Sequence, residues 1–179
     1  MNIFVLDNKP DIAAQMHCDK HVVKMILETA QLLSTAHRVL DGTPVEYINE
    51  STGRKVKTME LHDERDLYLY KATHMNHPCA IWCREARANY VWLHELFLEL
   101  NKEYTHRYNK IHACMRLEPL LCIIPENIPE NHGNMTPFPK AMPDDVKVED
   151  PIQSYRNYYI QYKKSFARWT NRETPSWIS

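Results

Sequence analysis

Between His17 and Arg38 the chain reads HCDKHVVKMILETAQLLSTAHR, and at 100° per residue these side chains sort onto two faces of a helix. His17, His21, Lys24, Glu28, Gln31, Thr35 and Arg38 share one arc, while Val22, Ile26, Thr29, Ala30, Leu33, Ala36 and Leu40 lie opposite and Met25, Leu27 and Leu32 flank the polar line. A helix apolar over so much of its surface must be covered by other elements. The fold is therefore expected to assemble around it, with the first helix running from about 11 to 40.

The remaining signals are helical too. Ile3 to Leu6 reads as a short extended segment entering the core, and DNKPD supplies a turn before the first helix. A connector (DGTPVEYINESTGRKVKTM) precedes a short helix predicted at 63 to 74. Pro78 suits a first helical position, where its missing N–H has no partner to lose. Ile81, Trp82, Val91, Trp92, Leu96 and Leu100 carry the pattern on to about Tyr108, a length that invites one break. Seven of the eleven prolines fall between 116 and 151, which predicts an extended strap. Asp150 and Pro151 then cap a last helix, in which Tyr155, Tyr159, Tyr162, Phe166 and Trp169 recur at three and four. The predicted architecture is all-α, one compact domain over 1–179. It comprises a helical core (1–112), a proline-rich strap (116–150) and a basic, aromatic C-terminal helix (151–170).

Composition narrows the chemistry. With only three glycines, neither GxGxxG nor GxxxxGK[ST] can be written. The net charge of −1 gives no bulk pull toward nucleic acid or membrane. The charge is uneven, however: residues 151–179 carry +4 and residues 116–150 carry −4. Five cysteines without a disulfide-like framework, and an N-terminus without a signal-peptide pattern, point to a reducing, cytoplasmic setting. No run approaches the ~18 apolar residues of a membrane span.

The polar file has two readings. Lys24 and Glu28, one turn apart, form either an ordinary ion pair on a solvated face or part of a site line where a carboxylate works beside cations and imidazoles. His17 and His21 at i, i+4 raise the idea of a metal, with Cys18 or Asp19 near. No HExxH accompanies them, and PCAIWC has one residue too many for the zinc-deaminase PCxxC. No metal and no cofactor is therefore implied, and Cys79 and Cys83 read as core. The tyrosine stripe could stack bases with Arg156, Lys163, Lys164 and Arg168 on phosphates, or it could be packing.

DKHVVKMILETAQLL, followed by MNHPCAIW and a long helix ending near RYNKIH, resembles the pyrimidine-dimer DNA glycosylase and abasic-site lyase family and its looser phage and bacterial relatives. The resemblance spreads over residues 1 to about 112, and its motif-like identity sits in the first helix and around Asn76-His77-Pro78. It implies a compact all-α fold, damaged duplex DNA as partner, and a host-cytoplasm location if the chain is phage-encoded. It also implies an N-terminal amine that attacks the deoxyribose C1′, supported by a helix-borne glutamate. Aligning Asp19 and His21 with the family's Asp-x-His puts that glutamate at Glu28. Leu27 and Gln31 stand where the family carries arginines. An α-amine, with a usual pKa of ~7.7–8, is partly neutral and nucleophilic at physiological pH. Asn2 is large enough that Met1 is expected to remain, so the candidate nucleophile is the Met1 amine, or else Lys24 if burial activates it. His21, Gln31, Arg38 and His77 would line the site, and Arg156 and Lys163 would hold phosphates. Two rival readings stay open: an enzyme acting on a free or modified nucleotide in the same pocket, and a non-enzymatic phage accessory protein binding nucleic acid or a host factor.

Overall fold

The computed structural model describes residues 1–178. Among the described residues seven α-helices build the fold in chain order: α1 (Pro10–Met16), α2 (Asp19–Asp41), α3 (Arg65–Tyr68), α4 (Pro78–Glu85), α5 (Arg87–Tyr108), α6 (Glu118–Leu121) and α7 (Pro151–Tyr162). No helix among the described residues is long and apolar enough to cross a membrane.

The centre is α2 packed on α5. Val22, Met25, Ile26, Leu32 and Leu33 from α2 meet Leu93, Leu96, Phe97 and Leu100 from α5, all without solvent exposure. The two run antiparallel, because polar pairs join opposite ends. Asp19 at the start of α2 accepts from Arg107 at the end of α5 (2.9 Å), and His37 near the end of α2 bonds the Tyr90 hydroxyl near the start of α5 (2.8 Å). Ile3–Leu6 enters the core, as its apolar run predicts, but it is irregular chain with Phe4 at positive φ and not a uniformly extended segment.

The first predicted helix is two. α1 stops at Met16 because His17 caps it twice: its backbone N–H donates to Ala14 O, and its Nδ1 bonds Ala13 O at 2.6 Å. A terminal carbonyl is thus satisfied by a side chain where no glycine is present. The long second pattern breaks once, at Ala86, whose extended backbone separates α4 from α5. The N–H of Arg87, orphaned by the break, donates to Pro129 O of the strap at 2.7 Å.

Two expectations need correction. The fold is not purely all-α: Thr43–Ile48 (β1) and Lys55–Glu60 (β2) form an antiparallel hairpin from the predicted connector. Only Val45 in β1 and Val56, Thr58 and Met59 in β2 are partly covered, and Gly53 takes the positive φ that the turn demands. The helix predicted at 63 to 74 is only the single turn α3, after which 69–77 runs non-helically.

The strap also contains the short turn α6, but most of 122–150 is irregular chain fixed by side-chain anchors. Asp41 accepts the N–H groups of Glu126 and Asn127, and buried Asn89 bonds both the N–H and the hydroxyl of Thr136. Phe138 packs between Trp82 and Trp92, and Tyr155 donates to Pro139 O at 2.8 Å. Asp150 caps α7 through Ile152 and Gln153, but α7 ends at Tyr162, short of the predicted 170.

Candidate active site

The polar file of α2 is mostly covered, and the cover runs antiparallel to it. At the far end Arg38 binds the chain around 59–70. In the middle, the Thr35 hydroxyl exchanges bonds with both the N–H and the carbonyl of Thr73. At Glu28 the segment reaches His77, whose ring feels the Glu28 charge. The line is therefore neither a solvated face nor one continuous site.

The N-terminus lands on this line beside Glu28. Asn2 Oδ1 accepts from the N–H groups of Ile3 (2.7 Å) and Phe4 (3.0 Å), an Asx turn that folds the terminus back and leaves Phe4 left-handed at φ 43°. The Asn2 N–H then donates to Glu28 Oε2 at 2.9 Å, and the Met1 amine stands 3.9 Å from the same oxygen. Lys24 Nζ takes the other oxygen, Oε1, at 3.1 Å. Glu28 is 9% exposed. The Met1 side chain is 3% exposed although the residue as a whole is only half-buried, so what Met1 shows to solvent is main chain.

Two histidines border this spot. His77 is the N-cap of α4: its Nδ1 accepts from Cys79 N–H at 3.1 Å, which in the neutral ring puts the proton on Nε2. Burial, with help from the amine and from His74, holds its pKa below the usual imidazole value. His74 is itself left-handed at φ 48°. Non-glycine residues in that region are strained, and such strain gathers at functional sites. Cys79 lies near the amine as well, but burial pushes its thiol up to about 12, which leaves it inert.

Of the residues expected to form the site, Met1, Lys24, Glu28 and His77 come together. Gln31, one turn beyond Glu28, is half-buried and makes no side-chain hydrogen bond among the described residues. Leu27, where the resembled family carries an arginine, is 39% exposed. Lys163 Nζ lies 4.5 Å over the Tyr158 ring and forms no ion pair among the described residues. Both Lys163 and Lys24 act on the His21 ring electrostatically and help to lower its pKa.

Three expected site residues do other work. Arg38 is fully buried, and its guanidinium is consumed by the carbonyls of Met59, Asp66, Leu69 and Tyr70 and by the Asp66 carboxylate. No donor remains for a substrate, and its role is to hold the hairpin base and 66–70 onto α2. His21 is 5% exposed, stacks 4.4 Å from Phe4 and bonds the Tyr159 hydroxyl. Burial drives its pKa to about 3, so it is a neutral floor beneath the N-terminal turn. Arg156 donates to Leu6 O at 3.0 Å and reaches Asp7, bracing the N-terminal segment from outside.

The inner part of the tyrosine stripe is packing, while Tyr162 is 43% exposed. Tyr155 and Tyr159 are fully buried, and the hydroxyls of Tyr155, Tyr159 and Tyr162 go to Pro139, His21 and Asp145. His17 and His21 spend their Nδ1 atoms on different partners, and no cluster of three or more His, Cys, Asp or Glu among the described residues could hold a metal ion. Asp19 takes Arg107 and Thr170, tying the C-terminal tail to α5. Clefts bordered by Val91 and Met135, by Gln15 and Pro175, and by Leu98 and Met115 lie elsewhere and do not include Glu28.

Sequence reasoning missed Asn2 and His74. An asparagine just before an apolar run was the available signal for the first, since asparagine closes Asx turns. Nothing local marks the second. Comparison of the chain with protein families, with characterised proteins and with solved structures gives no match.

Proposed function

We propose that this chain is a DNA glycosylase with associated abasic-site lyase activity on pyrimidine damage. The observation that carries the reading is the juxtaposition of the Met1 α-amine with the nearly buried carboxylate of Glu28, 3.9 Å away. Lys24 is the weaker nucleophile on structural grounds. Its side chain is 58% exposed, and the burial that would activate a lysine is missing.

In this proposal the neutral Met1 amine attacks C1′ of the damaged nucleotide, the C1′–base bond breaks, and the base departs with a proton. The sugar ring opens to an imine on the terminal nitrogen. Glu28 stabilises the positive charge that develops at C1′ and the imine nitrogen. It then accepts the C2′ proton as the 3′ phosphate leaves by β-elimination, and water hydrolyses the conjugated imine to free the amine. His77, neutral with its proton on Nε2, donates a hydrogen bond at the site edge, while Lys24 and Lys163 meet phosphates. Presenting a sugar carbon buried in a duplex requires bending or nucleotide flipping, at a few kcal/mol that damage reduces.

The free-nucleotide reading draws support from the net charge of −1, since a duplex binder normally has a stronger basic footprint. The test is incubation with borohydride on duplex DNA bearing a thymine dimer or an abasic site, with the matching nucleotides in parallel. A covalent adduct on the duplex supports the proposal. An adduct with the nucleotides alone favours the rival, and no adduct from a folded protein rejects both.

A further inference from the structure

Asn2 uses its whole side chain. Oδ1 takes the N–H groups of Ile3 and Phe4, and Nδ2 donates to Ala141 O of the strap at 2.7 Å. The residue is 8% exposed, so these bonds are shielded from competing water. Ala141 is held in turn by α7: the buried Tyr155 hydroxyl donates to Pro139 O at 2.8 Å and lies 3.5 Å from the Ala141 N–H. The strap thus connects the C-terminal helix to the second residue of the chain, through an Asn2–Ala141 bond that joins positions 139 apart. The Asn2 N–H bond to Glu28 and the buried Met1 side chain anchor the same end of the chain, and the Asn2 side chain adds the link to the strap.

Resting on the lyase reading for its catalytic consequence, we propose that Asn2 is a positioning residue and that strap residues 139–141 are the brace against which it sets the Met1 amine beside Glu28. The proline-rich strap then has a role in the site without contributing a reacting group. Prolines 137, 139 and 143 fit this role, because a brace of fixed φ loses little entropy when it orders.

Asn2→Leu removes all three side-chain bonds, and leucine, like asparagine, is large enough for Met1 to be retained. Tyr155→Phe loosens the brace from the opposite side without touching the terminus. Both variants are treated with formaldehyde and cyanoborohydride, and methylation of the α-amine is read by mass spectrometry as a ratio to that of exposed Lys164 in the same sample. The account expects the ratio to rise about fivefold in Asn2→Leu, the population change that one ordinary hydrogen bond produces. Tyr155→Phe should shift it in the same direction by less, and borohydride trapping on abasic-site DNA should fall in both. A general loosening would also raise labelling of the half-buried Lys163 relative to exposed Lys164, whereas a local release of the terminus leaves that second ratio unchanged. An unchanged α-amine ratio in both variants overturns the proposal, whatever trapping does. If the parent protein traps no DNA, the lyase reading fails while the ratio still decides whether Asn2 and the strap set the amine. Should Asn2→Leu not fold, Tyr155→Phe carries the test.

Discussion

The Met1 amine and the Glu28 carboxylate, at opposite ends of a 28-residue stretch, meet at 3.9 Å because the chain turns back at Asn2 and α2 runs beneath it. Glu28 also holds Lys24 Nζ at 3.1 Å, so one carboxylate faces two amines.

If Glu28 handles charge and protons for the amine, Glu28→Gln should leave the fold intact and reduce strand cleavage at abasic sites by about 10²–10⁴-fold, the usual worth of a positioned acid-base group. Single-turnover cleavage of an abasic duplex measures this. Cleavage within a few-fold of the parent would remove Glu28 from the chemistry.

Arg38 behaves as a structural clamp, and its replacement tests that assignment. Arg38→Met keeps much of the volume but leaves Asp66 and four backbone carbonyls short of their donor. Breaking a buried pair from one side costs about 3–5 kcal/mol. Urea denaturation should show a loss of that order, and amide exchange should speed up first in the hairpin and 59–73. An unchanged midpoint would return Arg38 to the list of groups free for a substrate.

Three buried histidines set the acid limit. Burial holds His17 and His37 at about 4 and His21 at about 3, so the native state keeps them neutral. The unfolded chain binds protons on them near pH 6.5, so the unfolded state gains protons first as pH falls. Stability is therefore full above pH 6.5 and lost toward pH 4, by about 1.4 kcal/mol per unit for each histidine and about 4 for the three. The urea midpoint should be flat between pH 7 and 8 and fall steeply between 6.5 and 5.5. A midpoint constant across that lower window would contradict the assignment.

Gly42 ends α2 at the hairpin, and a Cβ there would meet Arg38 O at 2.5 Å and Glu60 O at 2.7 Å. Both are backbone atoms, so neither can swing aside. Gly42→Ala should cost about 1–3 kcal/mol in thermal or urea unfolding, as overpacking does, whereas Gly53→Ala meets nothing within 4 Å and is penalised only by its φ of +65°. Equal stability of Gly42→Ala and the parent would refute the close approach.

What could be read from the sequence was what neighbouring residues settle among themselves. The apolar face of α2, the Asp150–Pro151 cap, the break before α5 and the nearness of Lys24 to Glu28 all follow from periodicity, capping chemistry and helical spacing. The stop after Met16 was hidden because a histidine side chain does the capping. Arg38 looked available because its partners lie 21 to 32 positions away in an irregular segment. Asn2 was hidden for the same reason, its key acceptor being Ala141. The site residues that were misread are those whose hydrogen bonds are long-range, while the carboxylate and the amine stood out because their reactivity is intrinsic.

The central claim is that the Met1 amine forms the covalent bond to DNA. Its most direct test is peptide mapping of the borohydride-reduced complex between the chain beginning at Met1 and an abasic-site duplex. The account predicts the sugar adduct on the α-nitrogen of Met1, with Lys24 unmodified. An adduct on Lys24, or on any other lysine with Met1 free, would contradict it.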